Sequence, residues 1–347
     1  MRTLMHQLKL TALAALALLP QTLRAGESSG TLIQLNRDAA QLTAEDWAVD
    51  FEQMKAIGID TAIIQWSAEE GISYFTNALA FVEVYPAIEG ILEAATQKGI
   101  DVYLGLHHDS RYWDHVTGRA RVLKDYFYVR VAQNEKLQLE MLKRFGTHDA
   151  FKGYYIPDEI DDINWRVSEK TPLMKNYLAK MSERLRANDK TREILVSAFY
   201  RMRTAPDVFA SNLKELVGGS HVSSVLVQDG LGDGISWKYA ERYVPIYYTM
   251  LAEAFRDSGV NLWIVIETFT RNSQPREPFA AGSADAARVQ KQINLARPHA
   301  SKLIYFTFPN YMDPDLDADA AELHGALSAA PEKKAPGTEP EKVPAKP

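Results

Sequence analysis

Short runs of branched and aromatic residues, apolar at consecutive positions, recur eight times along this chain. They are Leu32-Ile33-Gln34-Leu35, Ala62-Ile63-Ile64-Gln65-Trp66, Val102-Tyr103-Leu104-Gly105-Leu106, Gly153-Tyr154-Tyr155-Ile156, Ile194-Leu195-Val196-Ser197-Ala198, Ser224-Val225-Leu226-Val227-Gln228, Leu262-Trp263-Ile264-Val265-Ile266 and Leu303-Ile304-Tyr305-Phe306-Thr307. Being apolar on both faces, they read as parallel strands covered on both sides rather than as half-exposed antiparallel ones.

Between the runs the apolar spacing changes to three and four. Trp47, Phe51, Met54 and Ile57 mark a helix opened by Thr43 and Asp46 and stopped by Gly58. Ile88, Ile91, Leu92 and Ala95 mark another that ends at Lys98-Gly99. Further helices are expected over 135–145, 173–186, 211–217, 239–255 and 285–296. Strict alternation predicts parallel strands joined by right-handed crossovers. Eight such units make a single α/β domain, a (β/α)8 TIM barrel over 26–328. No glycine-rich turn follows the first run, as a dinucleotide-binding sheet would need, and no cofactor is assigned.

Residues 1–25 read as a secretory signal peptide: Arg2, His6 and Lys9 precede the apolar stretch 10–19, and Ala25 closes the segment. The stretch is shorter than the ~20 apolar residues of a membrane-spanning helix. Leu23 stands where a small residue is preferred, which keeps an uncleaved anchor as the alternative. The expected location is periplasmic or secreted, with no membrane span in the mature chain. Residues 329–347 are rich in Pro, Lys and Glu and are expected to be a disordered tail.

The absence of cysteine excludes disulfides, thiolate metal sites and a cysteine nucleophile. A net charge of −6 without a basic run argues against a nucleic-acid partner. A monomer is expected.

Polar residues stand past nearly every run: Asn36 and Arg37, Gln65 and Trp66, His107-His108-Asp109, Tyr200 and Arg201, Gln228 and Asp229, and Asn310 and Tyr311. Such a rim suits hydrogen bonding to a hydroxyl-rich ligand, an oligo- or polysaccharide. Trp66, Tyr112, Trp113, Trp165, Trp237 and Tyr311 fall in or near the same loops, where flat rings can stack on sugars. His107 or His108 with Asp109 offers a competing metal-dependent reading. Neighbours on a strand point to opposite faces, however, so only one histidine can face the site; no metal is assigned.

Two carboxylates carry the chemistry. Glu159 follows the fourth run among Asp158, Asp161 and Asp162, and burial with nearby like charge would raise it toward a general acid. The alternative is an acidic helix start. Glu267 directly follows the buried seventh run, with the parity of Trp263 and Val265. A charge there is costly unless paired or functional; the alternative is an ion pair with Arg271 or Arg201. In an eight-stranded barrel both glutamates would lie on the C-terminal rim, where the chemistry of such barrels sits. A facing carboxylate pair is what glycosidic cleavage requires.

This layout resembles the large clan of retaining (β/α)8 glycoside hydrolases, with an acid/base glutamate after strand four and a nucleophile after strand seven. The segment from Ala44-Glu45-Asp46-Trp47 through Met54 to Thr61 and on to Gln65-Trp66 also resembles a family of exported barrel proteins grouped with them. The likeness extends roughly over 31–327. It implies a retaining glycosidase with Glu159 as acid/base and Glu267 as nucleophile. Clan members usually carry Asn before the acid/base, where this chain has Asp158, and often a tyrosine ending strand six, where this chain reads Gln228-Asp229-Gly230. These departures support the alternative of a non-catalytic carbohydrate-binding barrel associated with exopolysaccharide export.

Overall fold

Eight parallel strands close on themselves in the computed structural model, which describes residues 28–328 except 167–168 and 275–276. They are β1 Ser29–Ile33, β2 Ile59–Ile64, β3 Asp101–Gly105, β4 Phe151–Asp161, β5 Glu193–Phe199, β6 Ser224–Gln228, β7 Asn261–Glu267 and β8 Lys302–Phe306. Each pairs with its sequence neighbours, and β1 pairs with β8 to complete the ring. The eight expected runs are these strands, and the fold is the (β/α)8 barrel.

The outer layer is α1 Ala44–Ala56, α2 Ala87–Lys98, α3 Ala120–Phe145, α4 Thr171–Asn188, α5 Pro206–Val217, α6 Trp237–Phe255, α7 Ala286–Ala296 and α8 Ala318–Ser328. Thr43 and Asp46 form a reciprocal capping box at α1, and Gly99 adopts the left-handed conformation that ends α2. The third helix starts fifteen residues before its expected first residue, 135. Its buried face includes Arg130 and Asn134, so the apolar period is broken where the helix is best covered. The eighth helix, α8, was not expected: its inner face is only Ala320, Leu323, His324 and Leu327.

Alternation along the strands sorts side chains between two cores. Leu32, Ile63, Tyr103, Tyr155, Leu195, Leu226, Trp263, Val265 and Ile304 fill the barrel interior. Their strand neighbours, such as Tyr154, Ile156, Val196 and Ile264, pack outward against the helices. At the C-terminal end β2 and β3 approach closely: a Cβ on Gly105 would lie 2.2 Å from the Gln65 carbonyl oxygen, so only glycine fits.

One irregularity shapes the rim. Ile156 of β4 pairs with Val196 of β5, but the next pairing is Ile160 with Ala198. Two extra residues on β4 form a bulge holding Pro157, Asp158 and Glu159, where the missing proline N–H costs no ladder bond. An even insertion preserves parity, so Glu159 keeps the inward face of Tyr155, and Asp158 keeps the outward face of Ile156.

The expected leader (1–25) and tail (329–347) lie outside the described residues. Among the described residues no helix is long and apolar enough to cross a membrane.

Candidate active site

A cavity of about 940 Å³ opens at the C-terminal end of the barrel, and both Glu159 and Glu267 line it. Glu159 is part-buried. Its Oε1 accepts the Gln228 side-chain amide at 2.8 Å and the Ser197 hydroxyl at 3.2 Å, while the Tyr112 hydroxyl holds its carbonyl at 2.6 Å. Burial raises its pKa above the ordinary carboxyl range, and Asp161 adds to this, against the two hydrogen bonds that favour the charged form.

The expected acidic cluster is dispersed. Asp162 caps the turn after β5, accepting the N–H groups of Arg201, Arg203 and Thr204. Asp161 lines the cavity and bonds Asn164. Asp158 turns into the helix layer and leaves the rim: it pairs with Arg130 at 3.1 Å, both about 2% exposed or less, and accepts the Tyr177 hydroxyl. Arg130 also bonds Nδ1 and the carbonyl of His107. Desolvation and the Arg130 charge push His107 down to about 4, so its ring is neutral at pH 7. Breaking one partner of such a pair typically costs about 3–5 kcal/mol; this network fixes the outer side of the bulge that carries Glu159. The strand continues through Asp161, so the acidic residues do not begin a helix.

Glu267 ends β7 and is 5% exposed. Its Oε2 accepts the backbone N–H of Gly232 at 2.6 Å and of Asp233 at 3.2 Å. Neither arginine weighed as an ion-pair partner reaches Glu267: Arg271 and Arg201 both go to Asp233, at 2.8 and 3.6 Å. Burial, then the charge of Asp229, pushes Glu267 up to about 8. Each glutamate has its hydrogen bonds on one oxygen, and the other oxygen makes none among the described residues.

Of the expected rim residues, Trp113, Tyr200, Arg201, Gln228 and Tyr311 join the two glutamates at the cavity. Tyr200 contributes an edge only, because its ring is buried and stacked on Tyr247 of α6 at 4.2 Å. The others lie elsewhere. Asn36 caps the turn at Asp38 and Ala39, and Arg37 pairs with Glu83 at the surface. Gln65 is buried beside Tyr155, and Trp66 stacks on His108 at 4.8 Å. Asp229 is fully buried against α7, and Asn310 is exposed on the short helix Phe308–Tyr311. Among the other expected aromatics, Tyr112 and Trp165 are core and Trp237 opens α6.

Residues not anticipated include Gln34, Phe199, Phe269, Phe279 and Phe306. Phe269 lies on the hairpin of Phe269–Arg271 with Ala281–Ser283 and packs against Phe279, Phe306 and Tyr311. Trp113 meets Phe199 edge-on at 5.7 Å. Aromatic walls therefore stand at two sides of the carboxyl pair.

Residues 28–318 match the family described as a domain of unknown function, DUF4434. The chain belongs to this family. It is 28% identical over 210 residues to the uncharacterized protein YbcH of Escherichia coli K12, spanning 60% of this chain and 67% of that one. Among solved structures it is similar to a proposed alpha-L-fucosidase from Bacteroides thetaiotaomicron, with a TM-score of 0.69, 18% identity, and 91% and 98% of the two chains covered. It is also similar to an endo-1,4-beta-mannanase from Rhizomucor miehei, with a TM-score of 0.59 at 13% identity, covering 87% of this chain and 94% of that one. An intracellular xylanase from Thermoanaerobacterium saccharolyticum, in complex with xylotriose, gives a TM-score of 0.52 at 12% identity, covering 87% and 95%. At these identities the likeness to the solved structures is one of fold, the (β/α)8 barrel.

Proposed function

We propose that this DUF4434 protein is an exported glycoside hydrolase acting on an oligo- or polysaccharide. The observation that carries the reading is the convergence of Glu159 and Glu267 on one cavity between aromatic walls. Glu159, its carboxyl raised by burial toward the protonated form, gives its proton to the departing glycosidic oxygen. The open oxygen of Glu267 attacks the anomeric carbon as that bond breaks, forming a glycosyl-enzyme. Glu159, now ionised, takes a proton from water, whose oxygen displaces Glu267 with net retention. The names of the similar structures, an alpha-L-fucosidase, an endo-1,4-beta-mannanase and a xylanase, support the class of reaction and not a particular sugar. The leader read in residues 1–25 supports a periplasmic or secreted location.

The test is release of reducing ends from a panel of bacterial exopolysaccharides and plant glycans, with anomeric configuration followed by NMR. Glu159→Gln and Glu267→Gln should each slow turnover by about 10²-fold or more. A near-wild-type rate in either removes that residue from the reaction. One observation favours a binding-only barrel: Asp158, where the resembled clan usually carries Asn, is committed to Arg130 and leaves the rim. Glycan binding without any bond cleavage by the wild-type chain would select that reading.

A further inference from the structure

Behind Glu267 lies a third carboxyl that the reaction above does not use. Asp229, just past β6, is 0% exposed and faces the helix layer. Its Oδ1 accepts the Leu231 N–H at 3.2 Å, and its Oδ2 lies 2.5 Å from the Gln292 side-chain amide on α7. The same amide reaches the Glu267 carbonyl oxygen at 3.4 Å. Among the described residues no cation is bonded to either carboxyl. Arg288 donates to the carbonyls of Glu267 and Phe269, and Arg201 and Arg271 are held by Asp233.

We propose that Asp229 is a positioning residue for Glu267: it holds the one proton of the pair, donated to Gln292, and thereby leaves Glu267 ionised in the cradle of Gly232 and Asp233. The inference rests on Glu267 as the attacking group.

Three observations support it. Two main-chain amides converge on a single oxygen of Glu267, the nearer at 2.6 Å, whereas Asp229 Oδ1 accepts one at 3.2 Å and its Oδ2 faces the Gln292 side chain; where that side chain accepts rather than donates, negative charge is better held on Glu267. Next, 2.5 Å is short for N–H···O and suits O–H···O. Turning the Gln292 amide about its axis puts Oε1, otherwise a buried oxygen without a partner, against the Asp229 hydroxyl. Finally, two sealed carboxyls repel when both are charged, and burial with this repulsion spreads their proton losses to about 6 and about 8, so one proton remains at pH 7. The other groups facing the pair do not supply that proton: Tyr200 and Tyr248 stay protonated through burial, Asp233 is occupied by two arginines, and Arg288 remains a cation. Asp229 also shapes the turn itself, because its bond to Leu231 precedes the two cradle amides by one and two residues.

A neutron crystal structure of the deuterated chain at pH 7 tests the assignment. A deuteron on Asp229 Oδ2 directed at Gln292, with Glu267 bare, is expected; a deuteron on Glu267, or on neither carboxyl, overturns it. Carboxyl ¹³C NMR titration supplies the second measurement. Because the proposed Asp229 is already neutral while Glu267 titrates, Asp229→Asn should leave the Glu267 midpoint within about half a pH unit of wild type; a fall of one unit or more, the mark of an ionised Asp229, overturns the proposal. Neither measurement involves a sugar, so its failure is separate from failure of the hydrolase reading, which the Glu→Gln rates decide.

Discussion

Gln228 on β6 donates its side-chain amide to Oε1 of Glu159 on β4 at 2.8 Å, reaching past the whole of β5. A donor aimed at a carboxyl favours its charged form. The bond therefore restrains the rise that burial imposes on Glu159.

Gln228→Leu removes this restraint. The pKa of Glu159 should climb, and the alkaline limb of kcat/KM, which reports loss of the acid proton, should move up by roughly one pH unit. The rate maximum should fall about tenfold as the side chain loses its orientation. A pH–rate profile of the variant beside wild type measures both.

Gly232→Ala tests the amide cradle. A Cβ at this position would stand 2.7 Å from the Phe269 carbonyl oxygen and 2.9 Å from its ring, so the turn must shift away from Glu267. Overpacking of this kind costs about 1–3 kcal/mol. Turnover should drop by more than tenfold while KM changes little, which steady-state kinetics and urea unfolding together check.

The buried acids also set a pH dependence of stability. In the unfolded chain Asp229 and Glu267 titrate in the ordinary carboxyl range; folded, the pair releases its two protons at about 6 and about 8. A raised carboxyl pKa means that the folded state binds more protons, so stability falls as pH rises between about 4 and about 8. Thermal midpoints should decline across that window. Glu267→Gln should flatten the decline and stabilise the protein at pH 8 by on the order of 1–3 kcal/mol. Calorimetry at pH 5 and pH 8 on both proteins measures the difference.

The aromatic walls predict a separation among rings that look equivalent in the chain. Trp113→Ala and Tyr311→Ala, at the cavity, should each raise KM for an oligosaccharide by about tenfold, as loss of ring contact costs about 1–2 kcal/mol. Trp66→Ala removes a ring that stacks on His108 outside the cavity, and its KM should be unchanged. Binding isotherms with one soluble oligosaccharide distinguish the three.

The barrel was legible because each strand is apolar on both faces and each is followed by a helix. The two glutamates were legible for a sharper reason: Glu267 shares the parity of Trp263 and Val265, which point into the barrel. Parity applied to the other strand ends would have separated right from wrong neighbours. Gln228 follows inward Leu226, whereas Asp229 takes the opposite face. Phe199 follows inward Leu195 and Ser197, whereas Tyr200 packs outward on α6. Gln34 follows inward Leu32 and lines the cavity, whereas Arg37 has the opposite parity; Asn36 shares the parity of Gln34 and is drawn off by the turn it caps. The cradle on Glu267 had no legible signature, since main-chain amides make it and only the glycines around it mark the turn. Nor was the fate of Asp158 readable, because its partner Arg130 lies in a helix whose onset the apolar period did not show.

The β4 bulge makes the active centre sensitive to arithmetic rather than to chemistry. Losing one residue between Ile156 and Ile160 would rotate the whole rim of that strand by half a turn, delivering Asp158 to the cavity and burying Glu159 against Arg130. Losing two would restore the facing at a shorter reach. Length variants of this strand should therefore alternate, odd against even, in which acidic residue faces the cavity, without any change in the identity of an acidic residue.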